Sequence, residues 1–231
     1  TTGARPARDP GPAPARRRTL SETGLVGLVG SLRRAIESLR SIPRSTEWSE
    51  YYDETNYSEA ALAEKEQRIA TIIDRLRPAT VWDLGSNTGR FSRVASRNGI
   101  TTMAFDADPA AVDKNYLAAV ASGDSHLLPL LMDLTNPSAN LGWANAERLS
   151  LEQRGPADLA LALAFVHHLA IGNNLPFAMI AAWFARMARH LVIEFVPKTD
   201  SQVQRMLSSR GDIFDEYTQP AFEEGFGRVV T

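Results

Sequence analysis

The stretch Val81 to Phe91, "VWDLGSNTGRF", decides the fold. An apolar run stops at Asp83, glycines follow at 85 and 89, and a helical pattern begins directly afterwards. That is a strand, a tight turn and a helix N-terminus. Glycines in such a turn let the backbone approach a ligand closely, and the helix amides that follow can face a ligand's polar groups. Two common nucleotide loops fail on spacing. A P-loop ends in Gly-Lys-Ser/Thr, whereas Gly89 is followed by Arg90 and Phe91, and a dinucleotide fingerprint needs G-x-G-x-x-G. A carboxylate closing the first strand suits a cationic or hydroxylated ligand and would repel a pyrophosphate.

From residue 80 onward strands and helices alternate. Strand candidates are Thr80–Leu84, Ile100–Asp106, His126–Leu134, Ala157–Phe165 and His190–Val196, with helices beginning near Gly89, Pro109, Pro176 and Asp200. Asp108 before Pro109 reads as an N-cap with proline at the first helical position, and Pro176 as another such start. This alternation predicts an α/β fold with a doubly wound, Rossmann-like parallel sheet and right-handed crossovers. Ligands of such sheets sit at the carboxyl ends of the strands. The most apolar stretch, Leu159 to Ile171, is too short to cross a membrane and holds two histidines.

Upstream, residues 1–18 carry four prolines and five arginines without a large aliphatic side chain, the composition of a disordered linker. Residues 19–79 are expected to hold two amphipathic helices and a lid segment between them, and residues 80–231 the ligand-binding domain. The first helix places Leu25, Leu28, Val29, Leu32, Ile36 and Leu39 at helical spacing. The second is opened by Ser58 and carries Leu62, Ile69, Ile72, Ile73 and Leu76. A leading linker suggests a piece of a longer protein with a further N-terminal domain. With no cysteine, thiolate chemistry and Cys-ligated zinc are excluded, and the chain reads as cytoplasmic. A formal net charge of -2 gives no general attraction to DNA or an acidic membrane.

"DLGSNTG" resembles motif I of the class I S-adenosylmethionine-dependent methyltransferases, D/E-x-G-x-G-x-G, with Asn87 in place of the middle glycine. The second strand ends "AFDAD" and the third "LLMDLTNP", so three successive strand ends fit one ligand. A closer resemblance is to a bacterial, nodulation-protein-related group of these enzymes that carries "YYDxTNYS", "DLTNPS", "HHLAI" and "EFVPKxDSQVQR" in this order, from about Leu25 to the end. In that group the segment is the carboxyl-terminal part of a longer protein. A complete domain of the fold finishes with an antiparallel sixth and seventh strand, whereas the chain ends "FGRVVT", with room for the sixth at most.

The resemblance implies S-adenosylmethionine as cofactor and assigns its contacts. Gly85, Ser86, Asn87, Thr88 and Gly89 form the loop, Asp83 faces the cofactor's ammonium directly or through water, and Asp106 takes the ribose hydroxyls while Asp108 caps a helix. Asp133 takes the adenine amine between Met132 and Leu134. Each has a plainer reading: turn glycines, loop caps, an Asx-turn at Asp133. Tyr51, Tyr52, Asn56 and Tyr57 form a lid in the same scheme, or else a hydrophobic staple for the second helix. Glu194 and Lys198 are candidates for facing the substrate pocket, with a solvated loop charge as the other reading of Lys198.

The fourth strand end sorts the acceptor. DNA-base enzymes carry Asn/Asp-Pro-Pro-aromatic there and magnesium-dependent enzymes a carboxylate, but this chain has "AFVHHLAI". His168, with His167 as the alternative, is the candidate general base, and strand alternation predicts that only one of them faces the pocket. The expectation is methyl transfer to a hydroxyl of a small molecule or saccharide, without a metal. Alternatives are a non-catalytic cofactor-binding or regulatory domain, a protein or RNA methyltransferase, and a nicotinamide-dependent oxidoreductase, the last disfavoured by glycine spacing. The sequence carries no signal of oligomeric state.

Overall fold

The computed structural model describes residues 21–39, 58–208 and 211–228. The chain divides between Pro43 and Arg44 into two units. The first holds α1 (Glu22–Ser38), opened by Ser21, whose hydroxyl accepts the Gly24 amide at 3.2 Å. The expected lid residues Tyr51, Tyr52, Asn56 and Tyr57, and the expected linker 1–18, lie outside the described residues.

The second unit begins with α2 (Glu59–Leu76), capped by Ser58 and closed by Arg77 in the left-handed conformation just before Pro78. Five parallel strands follow: β1 (Thr80–Leu84), β2 (Thr101–Asp106), β3 (Leu127–Leu131), β4 (Ala157–Ala162) and β5 (Ala188–Ile193). Their order is β3-β2-β1-β4-β5, so the chain walks outward from β1 in one direction and then restarts on its other side. This is the doubly wound α/β sheet that the alternation predicts. The helices between and after the strands are α3 (Ser92–Ser96), α4 (Pro109–Ser122), the short α5 (Leu151–Arg154), α6 (Phe177–Met187), α7 (Ser201–Ser208) and α8 (Gln219–Gly227).

Side chains alternate across a strand, so one register decides which helices each strand meets. Val81, Leu159 and Leu161 join Leu62, Ile69 and Ile73 of α2 and Ala95 of α3 in one buried cluster. Trp82, Leu84, Ala160 and Ala162 join Ile180 and Phe184 of α6, Val203 and Leu207 of α7, and Phe222 and Phe226 of α8 in the other. Asp83 has the parity of Val81 and therefore belongs to the α2 and α3 side.

Three strands end earlier than hydropathy alone predicts. β3 stops at Leu131 because Asp133 turns the chain, accepting the Thr135 amide at 2.9 Å and its hydroxyl at 2.6 Å. β4 stops at Ala162, and Ala164 takes a φ of 47°, which turns the backbone out of the sheet before the histidines. β5 runs from 188 to 193 rather than 190 to 196. Pro176 is the N-cap of α6 rather than its first helical residue. Phe226 and Gly227, where the sequence leaves room for a sixth strand at most, are helical in α8, and among the described residues the sheet has five strands.

β3 is an outer strand of the sheet and contains Pro129. Thr102 donates to His126 O and Met132 donates to Asp106 O, both at 2.8 Å, so the even-numbered residues here point their backbone groups toward β2. Pro129 has the opposite parity. The position without an N–H therefore faces away from the sheet.

Candidate functional site

A cavity of about 590 Å3 opens at the carboxyl ends of the strands, at the point where the walk reverses beside β1. Its size is that of a site for a ligand of a few tens of heavy atoms, and its place is where open α/β sheets bind ligands.

The loop after β1 forms one wall. The Gly85 and Ser86 amides both donate to Phe105 O at 2.9 Å, and the Gly89 amide closes the turn on Ser86 O at 2.9 Å. Gly85, Asn87 and Gly89 all have positive φ, at 79°, 50° and 77°. Asn87 thus stands where the resembled motif has glycine because the backbone is left-handed there, a conformation Asn tolerates better than most residues. Gly85, Ser86 and Asn87 line the cavity, whereas Thr88 and Gly89 do not. Gly89 answers to the protein itself: a methyl group there would sit 2.5 Å from Asn115 Cγ. Arg93 ties the same region together, donating to Thr88 O at 2.8 Å and to Asn115 Oδ1 at 3.0 Å. Ser86 Oγ is buried without a hydrogen-bond partner.

Three strand-end acids reach the cavity. Asp83 is 2 % exposed and accepts the Ser92 hydroxyl at 2.6 Å. Burial pushes its pKa up to about 6; the Ser92 hydrogen bond pulls against this and the Asp106 charge adds to it. Asp106 accepts the Asn87 amide on Oδ2 at 2.7 Å and the Asp108 amide on Oδ1 at 2.8 Å, and burial raises its pKa as well. Asp108 caps α4 through the Ala110 amide at 2.9 Å while lining the cavity. Asp133 lines the cavity between Met132 and Leu134, and its Asx-turn to Thr135 holds its pKa below the usual carboxylate range.

Both histidines line the cavity, which corrects the expectation that one would turn away. The strand has already ended, so alternation no longer applies: His167 is helical and His168 begins a wide helical turn through Gly172. Their rings lie 4.2 Å apart, centre to centre. Burial lowers the pKa of His167 to about 3, with the His168 charge adding to it, and that of His168 to about 4. Both rings are neutral across the physiological range. His167 Nδ1 is buried without a hydrogen-bond partner.

The sequence reading missed part of the wall. Leu62 and Lys65 of α2, Phe91, Asn173 and Gln202 also line the cavity. Lys65 sits three residues after Leu62 and four before Ile69, on the apolar face of α2, and a cation there was the available signal. Its Nζ donates to Glu194 Oε2 at 2.6 Å and lies 4.7 Å from the centre of the Phe91 ring. Glu194 is thus the partner of a lining residue without lining the cavity itself. Lys198 pairs with both oxygens of Asp212 at 2.9 Å and does not line it.

Comparison with solved structures places this architecture. WbdD, a bifunctional kinase-methyltransferase, superposes in two crystal structures with TM-scores of 0.51 and 0.50 at 16 % and 17 % identity, over 82 % of this chain and 41 % of that one. The fold is the class I methyltransferase fold. Nodulation protein NoeA of Rhizobium meliloti (strain 1021) is 39 % identical over 209 residues, 90 % of this chain and 44 % of NoeA, in line with the nodulation-related resemblance. The chain therefore spans less than half the length of either protein. No family model matches it. Within the methyltransferase fold, the described residues contain no group of three His, Asp or Glu side chains placed to hold a metal ion, and no helix long and apolar enough to cross a membrane.

Proposed function

We propose that the chain binds S-adenosylmethionine in this cavity and transfers its methyl group to a hydroxyl of a small-molecule or saccharide acceptor in the cytoplasm. The observation that carries the reading is the convergence of four successive strand ends on one cavity, where Ser86 Oγ and His167 Nδ1 are buried without partners. Buried polar atoms are almost always paired, so two orphans in residues lining one cavity point to a ligand that completes them. The donor set fits this cofactor. Each Asp106 oxygen has taken one backbone N–H, which leaves lone pairs for the ribose hydroxyls. Met132 and Leu134, which line the cavity on either side of Asp133, would hold a planar base with Asp133 placed for its amine, and Asp83 would supply the charge for an ammonium.

When bound, the sulfonium supplies an already electrophilic methyl group. The chain's own contribution is then placement and exclusion of water. His167 and His168 are assigned to the acceptor. A neutral imidazole accepts a hydrogen bond from a hydroxyl and fixes its oxygen, but with a pKa near 3 or 4 it is a weak base, so positioning is its larger part.

Calorimetric titration tests the cofactor. S-adenosylhomocysteine binds and raises the melting temperature, and NAD does neither; stabilisation by NAD alone would refute the assignment. Transfer of labelled methyl groups to a panel of hydroxylated acceptors tests the reaction. Tight cofactor binding without turnover on any acceptor would favour the second reading, a regulatory cofactor-binding domain of a larger protein, which the 44 % coverage of NoeA makes concrete.

A further inference from the structure

Charge is unevenly distributed around the cavity. The ends of β1, β2 and β3 bring it the carboxylates of Asp83, Asp106, Asp108 and Asp133. The lining that follows β4 in the chain, from Leu163 to Gln202, contains no Asp, Glu, Lys or Arg among the described residues. β4 lies on the other side of β1 from β2 and β3, so the acidic and the uncharged lining come from opposite halves of the sheet. Lys65 of α2, the one Lys or Arg in the described wall, is matched by Glu194 at 2.6 Å and adds no net charge.

The uncharged half offers flat rings and carboxamides. Phe165 packs on the loop after β1: a methyl group at Gly85 would sit 2.6 Å from its Cδ2. The His168 ring follows 6.4 Å from Phe165, tilted by 34°, and the His167 ring 4.2 Å from His168, tilted by 38°. Three planar side chains thus run in series from the loop. Asn173 is tied to the same turn through Nδ2, which donates to His168 O at 2.9 Å and leaves the carbonyl oxygen to accept. Gln202 of α7 brings a second carboxamide, with both donors and acceptors. Two imidazoles and two carboxamides call for a ligand with several hydroxyls, since a ligand with one would leave polar groups of the cavity unmatched. An anionic ligand would meet four carboxylates across the same space, with no uncompensated cation to offset them. The C–H face of a sugar ring is apolar and its rim hydroxylated, so the rings can take the face and the carboxamides the rim.

We propose that the methyl acceptor is an uncharged sugar, its ring lying against Phe165, His168 and His167 and its hydroxyls read by Asn173 and Gln202, and that phosphorylated and carboxylated sugars are excluded. This rests on the methyltransferase reading above. Asn173 and Gln202 are then specificity-determining residues, and the acids of the opposite half act against the wrong acceptor as well as for the cofactor.

The test measures labelled methyl transfer from S-adenosylmethionine to the methyl glycosides of glucose, mannose, galactose, fucose and N-acetylglucosamine. The first three are run beside their 6-phosphates and uronic acids, and S-adenosylhomocysteine affinity is followed by calorimetry. At least one neutral glycoside should accept methyl, with kcat/KM about tenfold or more above that of any charged sugar. Gln202→Ala should raise KM for that glycoside about three- to tenfold, the size of one neutral hydrogen bond, with kcat and S-adenosylhomocysteine affinity nearly unchanged. Gln202→Lys should move the preference toward the phosphates. Preference of the unaltered chain for a charged sugar overturns the inference and leaves the methyltransferase reading intact, as does a KM that ignores Gln202→Ala. Tight S-adenosylhomocysteine binding without transfer to any member of the panel overturns the sugar assignment and leaves the cofactor reading standing. Failure to bind S-adenosylhomocysteine overturns both.

Discussion

Gly89→Ala isolates the structural demand on the loop from any demand of a ligand, because Gly89 does not line the cavity. Two costs add. An alanine at φ 77° is in the left-handed region, about 1–2 kcal/mol above a right-handed placement. Its methyl group would also sit 2.5 Å from Asn115 Cγ. Asn115 is fully buried and its Oδ1 is held by Arg93, so it has little room to yield. Overpacking of this kind costs about 1–3 kcal/mol. The expected loss is therefore about 2–5 kcal/mol, a large share of the stability of an ordinary domain. Urea unfolding of Gly89→Ala, Asn115→Ala and the double variant separates the parts. The clash disappears in the double variant and the backbone cost does not, which gives a coupling of about 1–3 kcal/mol between the two sites. A single variant within about 0.5 kcal/mol of the parent, or strict additivity of the pair, would refute the reasoning.

Two pH-linked outcomes follow from the buried titratable groups. The Asp83 carboxyl, raised from 3.8 to about 6, holds a proton in the folded chain that the unfolded chain has already released, so its charge opposes folding above about pH 6. Asp83→Asn should raise the urea midpoint at pH 7.5 while weakening S-adenosylhomocysteine binding, and no gain in midpoint would contradict the burial penalty. His167 and His168 are lowered from 6.5 to about 3 and 4, so the unfolded chain takes up protons first and stability falls as the pH drops from 6.5 toward 4. Replacing both by Gln should flatten midpoints measured between pH 7 and 5; an unchanged slope would show that other groups carry the acid sensitivity.

The alternation of strands and helices was legible because each strand is a short apolar run bounded by turn residues, and in β1 Asp83 breaks that run one residue before the strand ends. What hydropathy does not report is where a strand stops hydrogen bonding. Met132, Leu134 and Leu163 to Phe165 are as apolar as the strands they follow, yet they belong to turns set by Asp133 and by the positive φ of Ala164. The error at β4 carried the histidines with it, since a residue outside the strand has no strand parity. The acids at the strand ends were readable as isolated charges after apolar runs. Lys65 carries no such signature, because the apolar period of α2 alone predicts a helix packed on a core, and a cation within that period signals the cavity only once the sheet shows what α2 covers. The packing of Asn115 against Gly89 joins residues 26 positions apart and has no local signature.

Pro129 bears on how these molecules behave toward one another at high concentration. Leu128 and Leu131 are exposed on the outer strand β3, and a strand of that kind invites a neighbouring molecule to extend the ladder. An incoming strand needs a regular row of outward donors. At the centre of β3 the outward position is filled by a ring with no N–H, so the row is broken where the strand would otherwise be most adhesive. The sheet can keep an apolar margin beside its cavity without that margin becoming a seed for fibres.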